Sequence, residues 1–306
     1  MSGVHTDPKE FAEAYMKIRR RGPVGPSTMS AALLVAPHGL RVSEQSARDN
    51  LYMADGTIDR ERAHEQHARV ARKLSDLGVP VITFPGIKGQ DDGVFPNNVF
   101  ATTQDRLIVG SMYHEVRRRE ASRPDIRQFF SARGYEIHDL SEGSGFAELT
   151  GSLIIDQAHQ VGFCGLSNRT DSKGCLAMHG AFGLQESLQF ELAEGEYHTN
   201  IVLSILGGRV AVFHPPSFRD ERVAQALREC FGNGILELSD EEKEGFAGNC
   251  LAITDRDVLL SSTAFRSLRE TSLATLDREG FRVHDAEIDE LEKAGGSLRC
   301  LIAEVF

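Results

Sequence analysis

A strand–turn–strand unit recurs along this chain at a nearly constant spacing, and few folds can satisfy that. Two β-rich apolar runs flank a short turn bearing Gly, Asp or Gln at 99–110 (VFATT-QD-RLIVG), 152–164 (SLIID-QAH-QVGFC), 201–213 (IVLSIL-GG-RVAVF) and 250–262 (CLAIT-DRD-VLLSS). Each reads as a hairpin. The turns fall near Asp105, Asp156, Gly207 and Asp255, at intervals of 51, 51 and 48 residues. Amphipathic helices are predicted between them over 61–77, 117–133, 220–230 and 267–278. A short strand follows each, at 79–84, 135–138, 235–238 and 281–284. The runs 31–37 and 300–306 read as two halves of a further unit, joined when the ends of the chain meet. The expectation is an α/β fold of five ββαβ units about a pseudo-fivefold axis, one closed domain over 1–306, with 1–29 as an N-terminal lead-in.

Charge and composition remove several functions. Lys and Arg total 34 against 45 Asp and Glu, a formal net charge of −11. Nucleic-acid binding rests on neutralising phosphates, so it is not expected. No run approaches the ~20 apolar residues of a membrane span; the most apolar stretch, 201–213, is broken by Ser204, Gly207, Gly208 and Arg209. The first residues are charged throughout and do not read as a secretory signal. Five widely spaced cysteines, without a C-x-x-C pair, argue for free thiols and a cytoplasmic location. No dinucleotide or P-loop motif is present, and Gly207-Gly208 reads as a hairpin turn, so no cofactor and no metal are expected.

Chemistry-bearing residues gather in four separated motifs. The first is Asp92-Gly93-Val94-Phe95-Pro96-Asn97-Asn98. The second is Glu148-Leu149-Thr150-Gly151-Ser152 with Gly165-Leu166-Ser167-Asn168-Arg169-Thr170. The third is Tyr197-His198-Thr199-Asn200, and the fourth Gly295-Gly296-Ser297-Leu298-Arg299-Cys300. In that order they resemble the pentein, or guanidino-group modifying, superfamily, in particular its amidinotransferase-like group of citrulline hydrolases and dimethylarginine dimethylaminohydrolases. The resemblance implies a five-bladed α/β propeller. It also implies that Cys300 is the nucleophile, that His198 and Glu148 are the other catalytic residues, and that the ligand is a small ureido or guanidino amino acid. The side of such a ring also offers a surface for a homodimer.

The residues carry that reading chemically. A Gly-Gly loop lets backbone approach a ligand closely at Cys300, and Arg299 beside it would favour a thiolate. His198 suits proton transfer near neutral pH. Glu148 stands in an apolar stretch, where a carboxylate needs a partner; its expected role is to bond substrate nitrogens. Asp92 and Asn98 are expected to bind substrate, and Arg169 offers a planar fork for its carboxylate. Arg117, Arg118 and Arg119 read as solvated surface, and His64 and His67 as the polar face of a helix.

Two amides stand where the resemblance places acids. Asn98 and Asn200 replace carboxylates that suit a cationic guanidinium, whereas an Asn amide matches a neutral ureido group in both directions. The expectation is therefore hydrolysis of citrulline to ornithine, ammonia and carbon dioxide through a covalent Cys300 adduct. Arginine or methylarginine hydrolysis and amidino transfer are the enzymatic alternatives. A ribosome anti-association factor shares the fold as a binding protein, and would not need the ordered Glu, His and Cys.

Overall fold

The computed structural model describes residues 3–54 and 56–306. Each predicted hairpin continues into the same three-stranded pattern. Phe100–Thr102 pairs antiparallel with Arg106–Val109, which pairs parallel with Glu136–Asp139. Leu153–Asp156, Val161–Leu166 and Glu186–Glu191 repeat this order. So do Leu203–Leu206, Val210–Phe213 and Ile235–Glu237, and Leu251–Ala252, Asp257–Ser261 and Arg282–Ala286. The fifth sheet is assembled from both ends of the chain, as expected: Ala303–Val305 runs antiparallel to Ala31–Val35, which pairs parallel with Val81–Phe84.

A parallel third strand demands a crossover, and helices supply it. They are Arg60–Asp76, the pair Glu115–Ala121 and Pro124–Ser131, Ser172–Phe182, Glu221–Phe231 and Glu270–Arg278. The middle strands Val161–Leu166 and Val210–Phe213 are buried at every position, which explains their continuous apolar runs. Leu203–Leu206 packs on Leu153–Asp156 and on Leu251–Ala252, and Ala303–Val305 packs on Phe100–Thr102.

Three expectations need correction. The helix predicted over 117–133 is two helices, because Pro124 lacks an N–H and holds Arg123 outside the helical region at ψ 103°. The N-terminal lead-in, for its part, has structure of its own. Pro8–Arg21 is a helix capped by Asp7; Phe11, Tyr15 and Ile18 are buried, and it packs on Glu221–Phe231. Val4–His5 adds a parallel strand beside Ser187 and Leu188. His67 is buried rather than on a polar face, and its Nε2 has no partner. Arg117 is buried too. No helix among the described residues is long and apolar enough to cross a membrane.

Candidate active site

The sheets share one further feature: the segment entering each first strand is a tight turn or one-turn helix. Asn98 ends the turn Pro96–Asn98 before Phe100–Thr102. Glu148 caps Leu149–Ser152 before Leu153–Asp156, and His198 caps Thr199–Val202 before Leu203–Leu206. Asn249 precedes Leu251–Ala252, and Cys300 lies in the turn Leu298–Leu301 before Ala303–Val305. His198 and Glu148 therefore stand at helix N-termini, one short turn ahead of the strands they lead into. Five equivalent entrances deliver five polar side chains to one end of the molecule.

Three of them, Asn98, His198 and Cys300, wall a small pocket with Asp92, Arg117 and Arg169, and with Ser46, Asn50, Phe95, Tyr197, Ala294 and Gly296. Glu148 and Asn200 stand behind this wall, against His198 and Cys300 respectively. The Gly-Gly loop is needed for closure. Gly295 has φ 80°, and a Cβ there would lie 2.6 Å from Met53 Cγ; one on Gly296 would lie 2.9 Å from the Phe95 ring. The Gly295 carbonyl accepts from Tyr197 Oη at 2.6 Å and Asn50 Nδ2 at 3.3 Å.

Cys300 is 4% exposed. Its Sγ lies 3.6 Å from Asn200 Nδ2 and 3.5 Å from Asn249 Nδ2. Asn249 also accepts from the Arg299 amide at 2.9 Å and donates to the Asn200 carbonyl at 2.8 Å. Two amide donors thus face the sulfur. Burial nevertheless outweighs them and holds the thiol above its ordinary value, with Arg299 a minor opposing influence. Arg299 does not point at the sulfur: its guanidinium goes to Ser204 Oγ at 2.9 Å and towards Glu304 at 3.7 Å. Arg299 therefore favours the thiolate as expected, but only weakly, and burial outweighs it.

Glu148 is fully buried and His198 is 2% exposed. Glu148 Oε2 meets His198 Nε2 at 2.7 Å and accepts from Arg169 Nη1 at 3.3 Å; Oε1 accepts from the Tyr113 amide at 3.3 Å. Burial raises its carboxyl, but Arg169 and His198 more than reverse that and hold it well below the usual carboxylate range. Burial lowers the His198 imidazole despite Glu148, and Arg169 and Arg117 push it the same way. Both directions favour the uncharged forms, a neutral imidazole and a thiol. Leu149, next to Glu148, has φ 23°, a backbone state costly for a residue with a Cβ and one that clusters at functional sites.

The remaining sequence-predicted residues divide. Asp92 lies on the wall; one oxygen accepts from Ser46 Oγ and Oδ1 has no partner. Burial raises its carboxyl although Arg117 opposes this. Asn98 is on the wall, with Oδ1 bound by Arg117. Asn200 is behind the sulfur and does not reach the pocket. Arg169 is on the wall, but its fork is already engaged: Nε and Nη2 donate to the two oxygens of Asp49 at 2.8 Å each, and Tyr197 lies under its guanidinium. His114 completes Asp49 at 2.9 Å. Sequence reading missed Asp49, Arg117 and Asn249. Only Asn249 had a signal, its place just before the strand Leu251–Ala252 that opens the fourth sheet.

Known proteins support the same chemistry. Residues 36–306 match the model of a family described as N,N dimethylarginine dimethylhydrolase, eukaryotic. The chain is 24% identical over 253 residues to N(G),N(G)-dimethylarginine dimethylaminohydrolase of Mycobacterium tuberculosis, covering 81% of this chain and 77% of that protein. It is 23% identical over 256 residues to the bifunctional arginine dihydrolase/ornithine cyclodeaminase ArgZ of Synechocystis, covering 80% of this chain and 33% of ArgZ. Among solved structures, the N-terminal domain of ArgZ bound to product superposes with a TM-score of 0.79 at 21% identity, covering 90% of this chain and 97% of that domain. The family match runs through every wall position from Ser46 to Cys300, and the chain belongs to the N,N dimethylarginine dimethylhydrolase family of hydrolases acting on carbon–nitrogen bonds of guanidino compounds.

Proposed function

We propose that the protein hydrolyses the terminal carbon–nitrogen bonds of a ureido or guanidino amino acid through a covalent adduct on Cys300. The observation that carries this is the convergence of Cys300, His198 and its partner Glu148, Asp92 and Asn98 on one pocket. We also read the five sheets as blades of one closed propeller, the pentein arrangement. The packing of successive first strands supports that, and it explains why five chain-distant turns meet. The unpaired cysteines fit a reducing, cytoplasmic setting.

In this mechanism the Cys300 sulfur bonds to the ureido carbon as its thiol proton passes by way of His198 to the departing nitrogen. For citrulline the bond to the side-chain nitrogen breaks, releasing ornithine and leaving an S-carbamoyl adduct. His198 then takes a proton from water, the hydroxide displaces the sulfur, and the carbamate formed decomposes to ammonia and carbon dioxide. Glu148 stabilises the imidazolium that forms in transit, a role its hydrogen bond fits better than contact with substrate nitrogens. The amides of Asn200 and Asn249 favour the thiolate as it develops.

Asp92 supports a second reading. Its unpartnered Oδ1 is a natural acceptor for a cationic, donor-rich guanidinium, so arginine can enter the same site and be carried through the ureido stage to ornithine. ArgZ, a relative, is described as an arginine dihydrolase. Ammonia and ornithine release from citrulline, arginine, their N-acetyl forms, dimethylarginine and agmatine decides the matter. Citrulline turnover to ornithine is expected, and Cys300→Ser is expected to lose at least ~10³-fold in rate while remaining folded. Arginine turnover that stops at citrulline would sink the ureido reading. Substantial activity in Cys300→Ser would sink the covalent mechanism.

A further inference from the structure

Every residue of the pocket wall is buried, so a ligand enters only when part of the wall moves aside. The segment 43–54, a strap across the pocket, is the part best placed to move. It belongs to none of the five sheets and puts Ser46 and Asn50 on the wall. Side chains hold it down: Ser46 donates to Asp92, Asn50 to the Gly295 carbonyl and Tyr52 to Glu196.

Asp49, in the middle of the strap, reaches past the wall to the catalytic residues. Its two oxygens take the Nε and Nη2 edge of the Arg169 fork at 2.8 Å each, and His114 Nε2 meets the same carboxylate at 2.9 Å. Burial raises the Asp49 carboxyl, but Arg169 and His114 more than reverse that. The strap thus brings a negative charge to a guanidinium that is only 2% exposed.

The far end of that guanidinium bears on Glu148. Arg169 Nη1 approaches Glu148 Oε2 at 3.3 Å, whereas His198 Nε2 meets the same oxygen at 2.7 Å; Oε1 accepts from the Tyr113 amide. An arginine and the catalytic imidazole therefore share one oxygen, and the imidazole holds the shorter bond. A planar fork binds a carboxylate best through two nitrogens at once. With its Nε–Nη2 edge spent on Asp49, Arg169 has a single nitrogen left for Glu148. Without Asp49 that edge is free, and Glu148 is the carboxylate it already touches.

We propose that Asp49 is a positioning residue through which the strap switches the catalytic pair: seated on Arg169, it leaves Glu148 to His198, and when the strap lifts to admit a ligand, the released fork turns onto Glu148 and draws it from the imidazole. The inference rests on the hydrolase reading above and makes proton transfer through His198 conditional on a closed site. The covalent step is thereby confined to the state in which the strap excludes bulk water. The charged groups facing His198 are Glu148, Arg169 and Arg117, with Asp92 and Cys300 on the same pocket wall; Asp49 acts on it by way of Arg169.

The test compares wild type with Asp49→Asn, Asp49→Glu, Arg169→Met and the double variant Asp49→Asn with Arg169→Met. The readouts are kcat and KM against pH, the titration of the His198 ring nitrogens by NMR, and Tm. Asp49→Asn is expected to lower kcat about tenfold at neutral pH while KM moves by less than about threefold. It should also make the His198 ring titrate at lower pH than in wild type. Asp49→Glu, which keeps a carboxylate, is expected to restore kcat to within about threefold. In the Arg169→Met background, Asp49→Asn is expected to move neither kcat nor the His198 titration. The proposal falls if Asp49→Asn leaves both readouts unchanged, or if its effect persists in that background. It falls equally if Asp49→Asn lowers KM and keeps kcat, because Asp49 would then only compete with the ligand's own carboxylate. Should Asp49→Asn not fold, Asp49→Ser decides by the same criteria; should Arg169→Met not fold, Arg169→Lys, which lacks a fork, takes its place. The NMR readout needs no turnover, so it separates this inference from the proposed function. A His198 titration that depends on Asp49 in a protein without turnover removes the hydrolase reading and leaves the coupling standing. Turnover with a His198 titration indifferent to Asp49 does the reverse.

Discussion

At the scale of single residues, the resting site holds its proton on sulfur. Burial moves Cys300 up and His198 down, the two directions that keep a thiol beside a neutral imidazole until a ligand changes the local field. Alkylation therefore reports on the site directly. Cys300 is the one cysteine on the pocket wall, whereas Cys230 and Cys250 are buried with thiols pushed up to about 12 and about 11. Iodoacetamide is expected to modify Cys300 ahead of the other four. Because its thiol lies above the ordinary value, the rate in the free protein should keep rising by about tenfold per pH unit from pH 7 through pH 9. A plateau near neutral pH, read by mass spectrometry of the labelled peptide, would mean that the free site already holds a thiolate. Two residue roles could not have been read from sequence at all. Arg117 and Arg169 look alike as isolated arginines, and only their partners show that one bonds Asn98 and Glu120 while the other ties Asp49 to Glu148.

At the scale of elements, the helix Arg60–Asp76 illustrates how packing overrides pattern. Its apolar positions, Val70 and Leu74, are buried as the periodicity requires, yet Gln66 and His67 extend the buried face. Gln66 bonds Asp289 and the Glu290 amide, and His67 lies against the Val35 backbone. Burial, with His64 as a smaller influence, lowers His67 to about 4. The unfolded chain takes up a proton near pH 6.5 and the folded chain only near pH 4. Stability is therefore unaffected above pH 6.5 and falls as pH drops through that window, by about 3 kcal/mol in all. His67→Leu should flatten this dependence. Urea unfolding at pH 7 and pH 4 checks it: an equal loss of stability in wild type and His67→Leu would contradict the assignment. Pro124 shows the converse case, in which a local rule decides. A single missing N–H splits one predicted helix into two, and the split leaves Arg117 on the first of them, over the pocket.

The whole molecule depends on contacts that join distant parts of the chain. The fifth sheet unites residues 31–35 with 303–305, which brings Cys300 beside Asn98 and His198. The N-terminal helix closes another gap. Phe11 and Tyr15 meet Phe163 edge-on, and Tyr15 Oη donates to Asp156, which also holds His159 at 2.7 Å. Burying Phe11, Tyr15 and Ile18 is worth roughly 1.5–3 kcal/mol each, a large share of a typical net stability of about 5–15 kcal/mol. Deleting residues 1–29 should therefore lower Tm by well over 10 °C or abolish soluble folding, although the segment lies outside the family match and none of residues 3–29 lines the pocket. A Tm within 2 °C of wild type would show that the helix is dispensable.

The repeat was legible in the chain because hairpin turns and alternating apolar runs are local properties, set by backbone preference and by what a sheet must bury. The four motifs were legible for a similar reason: residue types needed for one reaction recur in a fixed order, whatever their distance in space. What the chain alone could not reveal was orientation. Whether Glu148 faces a ligand or His198, whether Asn98 offers oxygen or nitrogen, and whether Arg299 reaches the sulfur are decided by neighbours up to about two hundred residues away. Those choices follow from hydrogen bonding and desolvation, both of which depend on which groups share a buried space. Sequence determined the repeat and the ordered motifs that carry Asn98, Glu148, His198 and Cys300. Only the tertiary structure, by burying these motifs together, decided which way each side chain points and which of them holds a proton.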